Sequence, residues 1–266
     1  MFNINKWAGA AIAVMSMAFA TTVPATAQNL LQDIQSRGKI VVAIDLGNPP
    51  FAITNAEQKP EGADVDVATQ LAQDLGVELE IIPVQGPNRI PFLVTGKADI
   101  VVAAFSITPE RAKSVNFSNP TGSLKVTVFA PKSVDISSID DLAGKSIGVT
   151  RSSIQDTDLT ARAPEGTTIT RFDEDALTTA AFLAGQVDAF ATSNHLGKAI
   201  AERNPGAEME PKFLLRELHY AIGIRQGEPD FLRWVNTWIF TSEQNGKLGE
   251  IYQRWMGEEL APLPRF

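Results

Sequence analysis

The chain has 266 residues, of which 44% are apolar and 20% charged, with no cysteine and a formal net charge of −8. That profile belongs to a folded globular chain and excludes a collagen or a disordered tail. Without cysteine there are no disulfides, thiolate nucleophiles or Cys-based zinc sites, and an acidic chain with no basic stripe is a poor partner for nucleic acid.

Residues 1–27 read as a signal peptide. Lys6 precedes an apolar run, Trp7–Ala20, that is too short to span a bilayer, and Ala25-Thr26-Ala27 offers the small residues a signal peptidase cleaves after. The expected product is exported to the periplasm and starts near Gln28. Short β-rich runs then alternate with helical patterns. Lys39–Ile44 is a predicted strand, Val65–Leu75 a helix with Asp64 as N-cap and Gly76 as C-cap, Glu78–Pro83 a strand, Pro87–Thr95 a helix and Ile100–Ala103 a strand. The pattern restarts with a short helix at Ser138–Leu142. Strands at Ile147–Val149, Thr168–Phe172 and Ala189–Ala191 then alternate with helices at Asp156–Ala161, Asp175–Ala184 and Asn194–Glu202. Such alternation implies βαβ units and a mostly parallel sheet.

The segment Phe92–Asp99 resembles Ala181–Asp188: each is a helix end, a glycine, a two-residue spacer and an aspartate entering a strand. The reading is two similar α/β lobes. Lys125–Ala130 and Tyr220–Arg225 are two further β-like runs that bracket the second lobe and supply a hinge. In the tail, Phe231, Trp234, Val235, Trp238 and Ile239 share one helix face, as do Leu248, Ile251, Tyr252 and Trp255; both sets read as core packing.

Ligands of open α/β sheets bind beyond the carboxyl ends of the strands. Four loops occupy that place: Asp45–Phe51, Ala104–Arg111, Thr150–Ser153 and Thr192–Asn194. In the second, Ser106 and Thr108 precede a helix that starts at Pro109. Its free N–H groups and the planar fork of Arg111 describe an anion site. The alternative is a capped surface helix with Arg111 paired to Glu110 or Asp99. Ser152 and Ser153 either present N–H groups to a ligand or simply cap the next helix. Phe51, held by two prolines that favour extended backbone, is either a ligand wall or a core aromatic. Arg89, at a strand-to-helix turn, reads locally as solvated. Asp64 and Asp66 read as capping and dipole residues. Catalytic arrangements are missing: His195 and His219 have no metal-binding spacing, and neither GxSxG nor a P-loop occurs.

These loops, in this order behind a signal peptide, resemble the periplasmic solute-binding proteins of polar amino-acid ABC transporters. The residues that carry the likeness are Pro49-Pro50-Phe51, Gly62–Val67, Asn88–Pro91, Gly96–Asp99, Ser106–Arg111, Asn116–Pro120, Gly144–Val149, Gly185–Ala189 and the Gly-Lys-Leu…Ile-Tyr…Trp tail at 246–255. The resemblance implies the type II periplasmic-binding-protein fold. Lobe 1 would hold 28–131 and 219–266 and lobe 2 132–218, each a mostly parallel sheet flanked by helices, joined by two hinge crossings. It implies a binding protein, not an enzyme, that acts as a monomer without metal or cofactor. A small-molecule carboxylate, acidic or polar amino acid above all, would pass from it to the membrane permease of an ABC importer. The implied ligand contacts are Phe51, Arg89, Ala104, Ser106, Arg111, Ser152, Ser153 and Ser193. Arg111, Ser106 and an N–H near Ser153 would take the α-carboxylate, and Arg89 a second, side-chain carboxylate. Ser193 stands where the family commonly has an aspartate for the ligand's ammonium, so a dicarboxylate or keto acid without an ammonium competes. A cyclohexadienyl dehydratase-like enzyme on the same fold is the other alternative, and Asp173 or Glu174 would be its acid.

Overall fold

The structure is a computed structural model that describes residues 29–266; the expected signal peptide lies outside them. The first half holds α1 (Leu30–Arg37), β1 (Lys39–Ile44), α2 (Ala63–Leu75), β5 (Glu78–Pro83), α3 (Arg89–Val94), β6 (Ile100–Val101) and the four-residue α4 (Pro109–Ala112). A small antiparallel sheet of β2 (Gly47–Asn48), β3 (Ala52–Thr54) and β4 (Pro60–Glu61) follows β1. The second half holds β8 (Ser146–Thr150), α5 (Ile154–Arg162), β9 (Thr168–Phe172), α6 (Asp175–Leu183), β10 (Ala189–Ser193) and α7 (Asn194–Arg203). Two 17-residue strands, β7 (Val115–Pro131) and β11 (Met209–Arg225), run through both halves, and α8 (Pro229–Gln244) and α9 (Lys247–Met256) close the chain.

All of the larger strands form one sheet of eight, in the order β5-β1-β6-β11-β7-β10-β8-β9. Strands β5, β1 and β6 are parallel, as are β10, β8 and β9, whereas β7 and β11 pair antiparallel between the two trios. Each trio therefore points the carboxyl ends of its strands into the space between the halves, where α/β ligand sites form. At one end β11 pairs with β6 through Gly223 and Ile224; at the other, Val126–Phe129 of β7 pairs with β10. β7 thus stays paired with β11 along its length and gains β10 as a second neighbour from Val126. Register shifts in the β7–β11 ladder flank Leu214 and Ala221 and bend the ribbon there.

Each half has its own core. Ile40, Val42, Ile44, Leu71, Ile100, Ile222, Phe231, Val235 and Trp238 pack in the first; Val126, Val128, Leu142, Ile147, Val149, Leu159 and Ala189 in the second. The tail aromatics sit as expected: Phe231 and Trp238 are buried.

The repeated octapeptide folds the same way twice. Gly96 and Gly185 take left-handed φ of 70° and 71°, which an L side chain adopts only with strain. The aspartate that follows then caps the neighbouring strand. Asp99 accepts the Val41 N–H at 2.7 Å and donates its own N–H to Val41 O, and Asp188 does both with Ser146.

Gly62, not Asp64, is the N-cap of α2, at φ 136° and so close to the Phe51 carbonyl that a Cβ would lie 2.3 Å from it. The side chain of Asp64 turns inward and accepts the Ala104 N–H at 3.0 Å. Asp66 faces the other way and accepts from Arg254 and Trp255.

Candidate functional site

The loops beyond the strand ends meet in a cavity of about 50 Å³ between the halves. From the first half it is lined by Asn48, Phe51, Gly86, Arg89, Ala104, Ser106 and Arg111. Leu124 and Val126 of β7 form part of the wall, and Thr150, Ser153, Ile154, Gln155, Asp175, Thr192 and Ser193 line the second half. Seven of the eight residues singled out in the sequence border it. The eighth, Ser152, is exposed at φ 59° and offers its backbone instead.

Thr108 caps α4 by accepting the Arg111 N–H, and this sets the arginine at the cleft. Its guanidinium donates to Ser106 O at 2.9 Å and across the cleft to Ser152 O at 3.0 Å, and lies over the Phe105 ring at 5.0 Å. No carboxylate pairs with it among the described residues. Both acids considered for it are taken: Glu110 by Lys113 and Asp99 by Arg37. Burial, and then the nearby Arg89 cation, lower the Arg111 pKa to about 10, so it stays protonated at neutral pH. Ser106 beside it is a buried residue whose position borders the cavity.

Facing Arg111 is the start of α5. Ser153 is its N-cap and accepts the Asp156 N–H at 3.2 Å, so the capping alternative holds for its side chain. Its own N–H is bonded to Thr150 O. The first-turn N–H groups at Ile154 and Gln155, both at the cavity, are the ones a helix leaves open.

Arg89 is not the free second cation the sequence suggested. Its guanidinium donates to Asp45 at 2.6 Å, with only 12% and 16% of the two side chains exposed. Its Nε is buried without a partner among the described residues. The pair also overturns the reading of Arg89 as a solvated surface residue.

Phe51 is fully buried, edge-on to Tyr220 at 5.5 Å and to His195 at 6.0 Å, and it borders the cavity as well. Core packing and a ligand wall are therefore one position. The prolines before it do not extend the chain: a turn closes on the bond from Phe51 N–H to Asn48 O at 2.9 Å. Ser193 caps α7, accepting the Leu196 N–H at 3.2 Å.

Two carboxylates at or behind the cavity were not among the expected contacts. Asp175 borders the cavity at the start of α6 and accepts a hydrogen bond from Thr150. Burial and then the Asp45 carboxylate push its pKa up to about 6. Asp64, behind Ala104, is driven to about 7 by burial, against the opposing pull of the Ala104 N–H and Arg89. Their helix-start positions were legible; their depth was not. Asp173 and Glu174, the acids of the enzyme alternative, stand aside from this cavity. Asp173 pairs with Arg151 at the surface, and both border an outer recess with Asp45. Among the described residues no group of His, Asp and Glu is arranged to hold a metal ion, and no helix is long and apolar enough to cross a membrane.

The sequence profile of the bacterial extracellular solute-binding proteins, family 3, matches residues 40–258. The chain is 28% identical over 239 residues to the ABC transporter glutamine-binding protein GlnH of Bacillus subtilis, a match covering 88% of this chain and 87% of that one. Among solved structures it is similar to the solute receptor for L-cysteine of Neisseria gonorrhoeae, with a TM-score of 0.81 and 29% identity over 88% of this chain and 99% of that one. It is also similar to the ancestral amino acid-binding protein AncCDT-1, a precursor of cyclohexadienyl dehydratase. That TM-score is 0.76, with 29% identity over 85% of this chain and 98% of the other.

Proposed function

We propose, from the premise that this chain belongs to the bacterial extracellular solute-binding proteins, family 3, that it captures a zwitterionic amino acid with a polar, uncharged side chain between its two lobes and passes it to an ABC importer's permease. The observation that carries the reading is Arg111, a guanidinium turned to the cavity with no carboxylate among the described residues to neutralise it. A buried cation without an anion is costly, and a planar fork matches a carboxylate. The ligand's α-carboxylate supplies that anion. The Ser106 hydroxyl and the N–H groups at the start of α5 complete its cradle.

The charge at the far end argues against a second acidic group. Arg89 is already neutralised by Asp45, and Asp175 adds a further carboxylate at the cavity. With Arg111, Arg89, Asp45 and Asp175 all charged, the cleft is neutral, and so is a zwitterion. Asp175, rather than the capping Ser193, is the acid for the ligand's ammonium. Asn48, whose buried Oδ1 lacks a partner, and Gln155 supply polar contacts to the side chain.

The chain is a binding protein and not an enzyme. It acts outside the cytoplasm as a monomer released from its signal peptide, with no nucleic-acid partner, in keeping with a sequence pI near 4.9. The two lobes take the bounds expected above and hinge along the paired strands β7 and β11. In the closed form Arg111 of lobe 1 reaches Ser152 of lobe 2. Calorimetric titration with each L-amino acid, paired with X-ray scattering, tests the reading. Binding of an uncharged polar amino acid that compacts the protein is the expected result. Binding by dicarboxylates alone, or no compaction, would overturn it.

A further inference from the structure

Besides the Arg111–Ser152 contact, a second contact joins the two lobes. His195 is the second residue of α7 in lobe 2, and Glu258 follows the C-cap of α9 in lobe 1. His195 Nε2 lies 3.2 Å from Glu258 Oε1, and the Tyr252 hydroxyl, 3.5 Å from the same oxygen, steadies it. The imidazole is 10% exposed and meets the Phe51 ring edge-on, with an 89° angle between planes. Phe51 is thus gripped between His195 and Tyr220 while its remaining surface borders the ligand cavity. We infer that His195 and Glu258 form a latch that holds the lobes closed and fixes the Phe51 wall, which makes His195 a positioning residue for ligand capture.

The chemistry of the ring decides how the latch releases. With Nε2–H donating to Glu258, Nδ1 carries only a lone pair, and Nδ1 is buried without a partner among the described residues. Protonation would place a second N–H there with nothing to receive it. Burial is also the largest influence on His195 and lowers its pKa, with Lys198 acting the same way and Glu258 opposing. Around it, Lys125 of β7 and Lys198 of α7 face Glu217 of β11 and Tyr252, Glu258 and Glu259 of the tail across a recess of about 310 Å³. That surround is mixed in sign and does not offset the enclosed ring. Opening returns the imidazole to water and to its ordinary pKa, so a proton binds the open form more tightly than the closed one. Acid therefore opens the latch.

This inference rests on the two-lobed capture reading, and one experiment separates the two. The sequence has no cysteine, so Val94→Cys in lobe 1 and Leu183→Cys in lobe 2, both exposed, accept a fluorophore pair without side reactions. Energy transfer then reports the closed fraction of ligand-free protein and its response to an equimolar mixture of the twenty L-amino acids. We expect His195→Ala to lower the closed-to-open ratio about fivefold, the worth of one hydrogen bond. His195→Gln, which keeps an N–H donor but cannot titrate, should restore it. Between about pH 8 and about pH 5 the wild-type ratio should fall while that of His195→Gln stays flat. An unchanged ratio in His195→Ala, or a His195→Gln ratio that falls with acid as the wild type does, would overturn the latch alone. An interlobe distance that the amino-acid mixture leaves unchanged in the wild type would overturn the capture reading beneath it.

Discussion

The two arginines of the cleft are of one residue type, yet the fold treats them in opposite ways. Among the described residues Arg111 donates only to main-chain carbonyls, one on each lobe, and its charge meets no carboxylate. Arg89 is matched by Asp45, a residue of its own lobe. A guanidinium with only carbonyl partners remains a receptor for an anion, because carbonyl dipoles orient it without cancelling its charge. A guanidinium bound to a carboxylate has spent that capacity. A cation at the edge of a pocket is thus no evidence for an anionic ligand until its own partner is known.

The largest effect should follow from removing the unmatched charge. Arg111→Ala loses a charge-assisted contact in an enclosed site, and ligand affinity by calorimetry should drop about 100-fold or more. Retained affinity would put the ligand's carboxylate elsewhere. Breaking the other pair should turn Arg89 into a second Arg111. Asp45→Asn leaves a buried cation alone, which destabilises the fold by about 3 kcal/mol, readable by urea unfolding. It should also raise affinity for glutamate relative to glutamine by about tenfold, because the side-chain carboxylate would now find Arg89 free. A variant with unchanged preference would remove Arg89 from the site.

Asp64 sharpens the same contrast from behind the cleft. Burial raises its pKa in the folded chain to about 7, above the 3.8 of an ordinary aspartate. Between those values the native chain holds a proton that the unfolded chain has released, so stability falls as pH rises through that window. Asp64→Asn keeps an oxygen for the Ala104 N–H and removes the proton. The stability difference between about pH 5 and about pH 7.5 should shrink by on the order of 1–2 kcal/mol, measured by urea unfolding at both pH values. A difference as large as in the wild type would mean that Asp64 is ionised throughout. The smallest effect is expected at Ser193. Aspartate caps a helix as well as serine does, so Ser193→Asp should fold. By giving a zwitterion's ammonium a second carboxylate it should tighten binding about fivefold, and for a ligand without an ammonium it should weaken binding.

Much of this was legible in the sequence because it is written locally. The strands at 39–44, 78–83 and 168–172 carry their β-rich pattern within their own residues. The two Gly-x-x-Asp corners repeat because the same glycine turn and the same aspartate cap are needed twice. Of the eight residues that the family resemblance implied, seven border one cavity, and six of those lie in the four strand-end loops picked out before any family was considered. What escaped depends on distance along the chain. Asp45 and Arg89 are 44 residues apart, and nothing near either announces the other. Asp64 reads as a cap because a carboxylate at a helix start normally is one; only tertiary packing turns it inward. The long strands were seen only at Lys125–Ala130 and Tyr220–Arg225. The rest of β7 and β11, with Asn116, Pro120, Gly122 and Pro211, lacks a clean alternation. Gly122 is there because the Tyr220 ring lies where its Cβ would be, 2.2 Å from the hydroxyl oxygen, and that requirement comes from the partner strand.

The claim that organises the rest is that one free guanidinium and a neutral cleft select a zwitterion. Native mass spectrometry of the purified protein, titrated with an equimolar mixture of L-amino acids and their 2-oxo and dicarboxylic counterparts, tests it most directly. The account predicts a single added mass, that of an amino acid with an uncharged polar side chain, and its loss in Arg111→Ala. An added mass belonging to a dicarboxylate without an amino group, or one that persists in Arg111→Ala, would contradict it.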